Sequence, residues 1–219
     1  MKLVFYSGGH DFENHLLDTN LLKLATKNPQ VTYIPSCSYL CTEDFRDFVE
    51  QYGKHQIHNI INFPIDVPFT DILKEEVLKS DIIHLSGGNT YYFLKHLRKT
   101  GMINELKQFV KRGGILTGLS AGAIIMTKSI ETAGFPEFDK DENDDNIKNL
   151  KGMGFVNFEF FPHYRNSKRY DKEIVEYSKS TERPLYACPD GSGIVVDNEM
   201  IQFVGKVYCF HHGKKFIVK

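Results

Sequence analysis

The 219 residues suit one large domain or two small ones, and no Pro-, Gly- or Ser-rich linker divides them, so a single domain over 1–219 is expected. Hydrophobic residues make up 41% and charged residues 25%, a balance that supports a sizeable core and argues against wholesale disorder. With 27 basic against 28 acidic residues the formal net charge is -1, which gives no electrostatic case for a nucleic-acid partner.

The chain opens with the apolar run Leu3 to Tyr6, read as a buried strand, and passes at once to Ser7-Gly8-Gly9. That opening lacks the apolar stretch and small-residue cleavage site of a signal peptide, and no run reaches the roughly 18 to 20 apolar residues of a membrane span. A cytoplasmic protein with no membrane partner is expected. An amphipathic helix follows, with Leu16, Leu17, Leu21, Leu22, Leu24 and Ala25 on one face. The next strands are Val31 to Ile34, Ile57 to Ile61 and Ile82 to Leu85. Helices marked by Phe45, Phe48, Val49 and Tyr52, then by Ile72, Leu73, Val77 and Leu78, separate them. A further helix starts after Asn89, with Tyr92, Phe93 and Leu97 inward, and Ile115 to Thr117 forms the next strand. Near-continuous apolar strands alternating with helices imply a mostly parallel sheet covered on both faces, a three-layer α/β/α sandwich.

The segment Glu137 to Asp145 is the one notable charge cluster, placing an acidic loop at 137–146. It lacks the Gly and Glu that a calcium loop needs at positions six and twelve, so a solvated, mobile loop is expected, or a lid beside an active site. Beyond Phe155 the texture changes. A strand through Phe158 to Phe161 stops at Pro162, and one helix covers roughly Arg169 to Ser180. Short strands follow at Leu185 to Cys188, Gly193 to Val196, Ile201 to Val204 and Val207 to Phe210, with turns at Asp197-Asn198 and Gly205-Lys206. These are expected to extend the sheet as antiparallel hairpins.

Cysteines 37, 41, 188 and 209 form no CxxC pair and read as free thiols in a reducing compartment. Cys37 and Cys41 with His55 or His58 make only a loose metal pattern, and no metal site is expected. The chemistry instead gathers at Gly118-Leu119-Ser120-Ala121-Gly122, a G-x-S-x-G stretch that leaves a strand and opens a helix. A turn that pushes a serine hydroxyl off a sheet brings backbone segments close, hence Gly or Ala on either side. The Ala121 amide, at the start of the helix, can face a developing oxyanion. Ser86-Gly87-Gly88-Asn89-Thr90 repeats the strand–turn–helix setting one unit earlier. Gly88 can supply a second oxyanion donor, and Asn89 can cap the helix or hold a substrate. Neither a G-x-x-x-x-G-K-[ST] loop nor a G-x-G-x-x-G fingerprint occurs, so no nucleotide cofactor is implied.

A serine nucleophile needs a base. His163, after Phe161-Pro162, stands at a loop on the sheet rim; His211 and His212 are its rivals, while His84 and His96 read as structural. Glu137, Asp190 and Glu131 are the candidate carboxylates to orient the imidazole.

The stretches L-S-G-G-N-T-Y-Y-F-L (85–94), G-L-S-A-G-A (118–123), F-F-P-H-Y (160–164) and D-G-S-G (190–193) resemble the dipeptidase E and cyanophycinase family of serine peptidases, relatives of the class I glutamine amidotransferases. The resemblance runs from about Lys2 to about Val204. It implies a class I glutamine amidotransferase-like fold, no metal or organic cofactor, and small peptides, possibly dipeptides, as substrates. It also implies Ser120 as nucleophile, His163 as base and an oxyanion hole of the Gly88 and Ala121 amides. Gly134 and Phe135 stand near where the family's acid is expected, which makes Glu137 the nearest substitute and Asp190 the alternative. Arg165, Lys168 and Arg169 are placed to bind an acidic side chain or a carboxylate. The expected function is peptide hydrolysis by a monomer or homodimer. The alternatives are an amidase, esterase or acyltransferase using the same serine, or a non-catalytic small-molecule binding module.

Overall fold

The computed structural model describes residues 1–39 and 41–218, apart from the side chains of Asp11 and Cys41, so the Cys37/Cys41 pair lies outside the described residues. The elements in chain order are β1 (Lys2–Tyr6), α1 (Asp11–Leu24), β2 (Val31–Ile34), α2 (Cys41–Gly53), β3 (Ile60–Asn62), α3 (Asp71–Val77) and β4 (Ile82–Leu85). Then come α4 (Thr90–Lys99), α5 (Met102–Lys111), β5 (Ile115–Leu119) and α6 (Ala121–Met126). A 3-10 turn at Glu131–Gly134 leads to β6 (Glu159–Phe161), α7 (Lys168–Ser180), β7 (Leu185–Ala187), β8 (Gly193–Asp197), β9 (Met200–Val204), β10 (Val207–His211) and β11 (Lys214–Val218).

Seven strands form the central sheet in the order β3-β2-β4-β5-β1-β8-β9. The first five run parallel, and β8 and β9 add antiparallel at one edge. Alternate residues of β1 feed two cores, Leu3 and Phe5 on one face, Val4 and Tyr6 on the other. The first face is covered by α4, α5 and α6 through residues such as Phe93, Leu97, Leu106 and Ala123. The second is covered by α1 and α2 through Leu17, Leu21, Phe48 and Tyr52. This is the α/β/α sandwich expected from the alternation of strands and helices.

The C-terminal half departs from expectation. Only β8 and β9 extend the main sheet, whereas β11-β10-β7-β6 form a second, four-stranded one. The physical reason is a third core. Phe161, Tyr164, Tyr170, Ile174, Leu185, Tyr208 and Phe210 bury one another between this sheet and α7. Gly205, at φ +73, turns the chain out of β9 toward it. The α5 helix and the edge strand β11 were absent from the expected elements.

The acidic segment is tied down along its length. Asp141 Oδ2 accepts the Thr90 N–H at 2.7 Å, and the Asn89 Nδ2 donates to the Glu142 carbonyl at 2.8 Å. Lys95 pairs with Asp145 at 2.6 Å, and Tyr170 Oη donates to Asp139 at 2.6 Å. Asp141 is held here because the first turn of α4 offers unpaired N–H groups and the positive end of its dipole. Residues 137–139, 142 and 144–146 are exposed, as a solvated loop requires, while these contacts tie the segment to the start of α4 and to α7.

Candidate active site

In the parallel part of the sheet, register brings the ends of β1, β4 and β5 together, with Tyr6 opposite Leu119 and Leu85 opposite Gly118. The residues that follow, Ser7, Ser86 and Ser120, therefore emerge side by side at the carboxyl edge, where open α/β sheets collect ligands. Ser120 leaves β5 in a sharp turn at φ 48, ψ −107, a region non-glycine residues avoid. Its amide donates to the Tyr6 carbonyl at 3.0 Å, and the Gly122 amide donates to the Ser86 carbonyl at 3.1 Å. The flanking glycines are sterically required. A Cβ on Gly118 would lie 2.5 Å from the Ala123 nitrogen, and one on Gly122 would lie 2.3 Å from the Leu85 carbonyl oxygen.

Ser120 Oγ lies 2.9 Å from His163 Nε2, and His163 Nδ1 lies 2.7 Å from Asp190 Oδ1. With the Nδ1–H donated as a hydrogen bond to the ionised carboxylate, Nε2 is left as acceptor for the serine hydroxyl. The bond from His163 holds the Asp190 carboxyl below its ordinary range against the opposing effect of burial. Asp190 sits on a tight turn closed by Gly191 at φ +73, whose amide donates to the Gly8 carbonyl at 3.0 Å. Gly8 passes directly beneath the pair. A Cβ there would fall 2.2 Å from His163 Cε1 and 2.4 Å from Asp190 Oδ1.

The Gly88 amide is positioned by a loop at φ +126, open to glycine but not to L side chains, and a Cβ there would meet Ser36 Oγ at 2.1 Å. Neither the Gly88 nor the Ala121 amide donates to another group among the described residues. Both residues border Ser120, Gly88 across the open cavities and Ala121 as the first residue of α6. Three cavities surround these groups. One of 620 Å³ is bounded by Gly8, Gly88, Ser120 and His163, and one of 470 Å³ lies on the side of Arg165, Tyr170 and Asp190. A third of 260 Å³ extends past Gly88 toward Tyr91 and Tyr92.

Several sequence candidates are placed elsewhere. Glu137 does not meet His163: its carboxylate takes Lys140 Nζ at 2.8 Å and is exposed, because its loop is drawn toward α7. Glu131 accepts from Ser129 and from Tyr177 at 3.1 Å. Asp190, the alternative, holds the position Glu137 was expected to fill. Asn89 is an N-cap, accepting the Tyr92 N–H at 2.9 Å, and its amide is engaged at both ends rather than open to a ligand. The Arg169 guanidinium lies 3.5 Å over the Phe138 ring, so it is stacked on the acidic loop. Arg165 alone of the basic candidates borders a cavity shared with Ser120. Among the described residues, His211, on β10 of the second sheet, makes no hydrogen bond to Ser120; its Nε2 is 3.1 Å from the carbonyl oxygen of Glu182, in the loop after α7. His84 is buried against Thr117, and desolvation lowers its pKa to about 3, so it stays neutral.

Ser7 was missed. It is fully buried, its hydroxyl donates to the Cys188 carbonyl at 2.6 Å, and it accepts the His163 N–H at 2.7 Å. The only sequence signal was its place at the end of the first strand, beside Gly8-Gly9.

The model of peptidase family S51 matches residues 3–204. The chain belongs to that family. An uncharacterized peptidase of Pasteurella multocida is 26% identical over 180 residues, 79% of this chain and 84% of its own length. An uncharacterized peptidase of Listeria monocytogenes is 30% identical over 160 residues, 69% of this chain and 75% of its own. Among solved structures, that of a peptidase from an acI-B1 actinobacterium aligns with a TM-score of 0.66 at 18% identity, covering 99% of this chain and 93% of that one, which bears on the fold alone. Family membership makes hydrolysis of the peptidase type the general activity of the S51 chain. No helix among its described residues is long and apolar enough to cross a membrane.

Proposed function

We propose that this S51 protein is a serine peptidase acting on small peptides, with Ser120 as nucleophile, His163 as general base and Asp190 as the carboxylate that orients it. The observation that carries the reading is the unbroken contact chain Ser120–His163–Asp190, at 2.9 Å and 2.7 Å, mounted on a strained strand-to-helix turn. His163 Nε2 takes the serine proton as Oγ attacks the peptide carbonyl. The amides of Gly88 and Ala121 hold the tetrahedral oxyanion, in a site where preorganised donors cost no rearrangement. His163 then passes its proton to the leaving amine, and water, activated by the same imidazole, releases the acyl group. Asp190 stays ionised throughout and stabilises the imidazolium that forms at each step.

The open cavities of 620 Å³ and 470 Å³ on either side of Ser120 have room for the few residues of a short peptide. The test is a screen of free and blocked dipeptides with wild type and Ser120→Ala. Hydrolysis is expected from the wild type and none from the variant, with the variant's melting temperature retained. Turnover by Ser120→Ala at the wild-type rate would remove the serine mechanism.

A further inference from the structure

The peptide unit joining Gly87 to Gly88 carries one of the two amides assigned to the oxyanion, yet its own residues do not decide which way that amide faces. The unit is trans and planar, so its carbonyl and its N–H point in opposite directions, and turning it over by about 180° exchanges them. Between two glycines that turn meets no side chain, because glycine accepts φ of either sign. A stiffer residue cannot stand in for Gly88, where a Cβ would meet Ser36 Oγ at 2.1 Å. The unit also lies beside the nucleophile: a Cβ on Gly87 would be 3.7 Å from Ser120 Cβ. Ser86 supplies the constraint that the glycines lack. Its N–H donates to the Ile34 carbonyl at 3.0 Å, and its carbonyl accepts the Gly122 N–H at 3.1 Å. Its Oγ accepts the Ser36 N–H at 2.7 Å. Buried and gripped by the backbone on both sides, the residue has one acceptor for its hydroxyl proton among the described residues, the Gly87 carbonyl at 2.9 Å. With that carbonyl held on the Ser86 side, the Gly88 N–H is turned to the other side, where it donates to no group among the described residues. Gly88 borders both cavities that contain Ser120.

Resting on the serine-peptidase reading, we infer that Ser86 is a positioning residue whose hydroxyl locks the Gly87–Gly88 peptide in the orientation that offers the Gly88 N–H to the oxyanion formed at Ser120. The hydroxyl touches neither substrate nor reacting atoms and acts through the backbone alone. A donor already aimed needs no rearrangement as charge develops, whereas a unit free to turn would present a carbonyl oxygen, which repels the oxyanion.

The experiment compares wild type with Ser86→Ala by crystallography and by steady-state hydrolysis of p-nitrophenyl acetate and of the dipeptides screened above. In wild type the Gly87 carbonyl should lie on Ser86 Oγ in a single orientation. In Ser86→Ala the unit should be turned over or divided between the two orientations. Its kcat should fall at least about 10-fold, toward the roughly 10²- to 10³-fold of a deleted oxyanion donor, with KM within about twofold. A purely structural hydroxyl would lower the melting temperature and leave kcat in place. An unmoved unit in Ser86→Ala, a kcat within about twofold of wild type, or a loss confined to KM would each overturn the lock. Ser86→Cys keeps the volume and a weak donor, and it gives the same two readouts should Ser86→Ala not fold. Failure of the peptidase reading shows separately. Wild type would then turn over no dipeptide, while the orientation of the unit still decides the lock. Dipeptide hydrolysis by wild type with an unmoved unit in Ser86→Ala removes the lock and keeps the reading.

Discussion

Ser7 Oγ accepts the backbone N–H of His163 at 2.7 Å. The same hydroxyl donates to the Cys188 carbonyl, two residues before Asp190, so one buried atom ties both the histidine and the acid to the end of β1. Ser7→Ala should leave an N–H and a carbonyl unpaired in the interior, lowering stability by about 1–3 kcal/mol. If the clamp also sets the geometry of His163, kcat should fall by about 10-fold to 100-fold with KM little changed, as expected when a reacting group is misplaced by around an ångström. Equal loss in KM alone would point to a purely structural role.

Asp190 and Glu137 can be told apart by substitution. Asp190→Asn should lower kcat by about 10³-fold or more, since the wrong imidazole tautomer then faces Ser120. Glu137→Gln should stay within about twofold of wild type, its exposed carboxylate being spent on Lys140.

The lowered carboxyl of Asp190 also has a pH consequence. A carboxylate whose folded pKa lies below its unfolded value adds stability above the unfolded pKa, and that increment is lost as pH falls through the folded value. Acid titration of the melting temperature should therefore show an additional loss in wild type, starting near the ordinary carboxylate range of about 4 and continuing below it, that Asp190→Asn lacks. The increment is small because the side chain is 47% exposed.

Gly122→Ala places a Cβ 2.3 Å from the Leu85 carbonyl oxygen, a backbone atom that cannot swing away. The expected cost is about 1–3 kcal/mol, read as a lower melting temperature, with activity reduced because β4 and the elbow are pushed apart. Gly113→Ala has open space around it and is strained only through its positive φ, so it should cost less.

Asp141 joins the acidic segment to the start of α4 by accepting the Thr90 N–H. Asp141→Ala should cost about 1 kcal/mol as a lost cap and make residues 137–146 the first site of limited proteolysis. Unchanged cleavage would mean that the remaining ties, Asn89 to Glu142 and Lys95 to Asp145, suffice.

The parallel sheet was legible because its strands are short apolar runs set between helical periods, and Leu3-Val4-Phe5-Tyr6 serves a core on each face. The second sheet was not. Hairpin-like spacing around Gly205 reads the same whether the chain folds back on its own sheet or leaves it, and the choice rests on the distant aromatic core around Tyr164 and Phe210. The α5 helix carried its own signal, with Met102, Leu106, Phe109 and Val110 buried on one side. At the site, Ser120 and His163 were legible from local turns. The partner of His163 was not, because Glu137 is nearer in sequence while Asp190 is brought in by the pairing of β8 with β1. Ser7 acts through contacts 156 and 181 residues away, and its place at the end of the first strand was its one local trace.

The central claim, that Ser120 is activated by His163, is tested most directly by stoichiometric reaction with a fluorophosphonate probe, with the adduct located by peptide mass spectrometry. Wild type should carry one adduct, on Ser120, and His163→Ala should label at least about 100-fold more slowly, the scale of general-base assistance. Absence of an adduct on wild-type Ser120, or equal labelling rates in the two proteins, would contradict it.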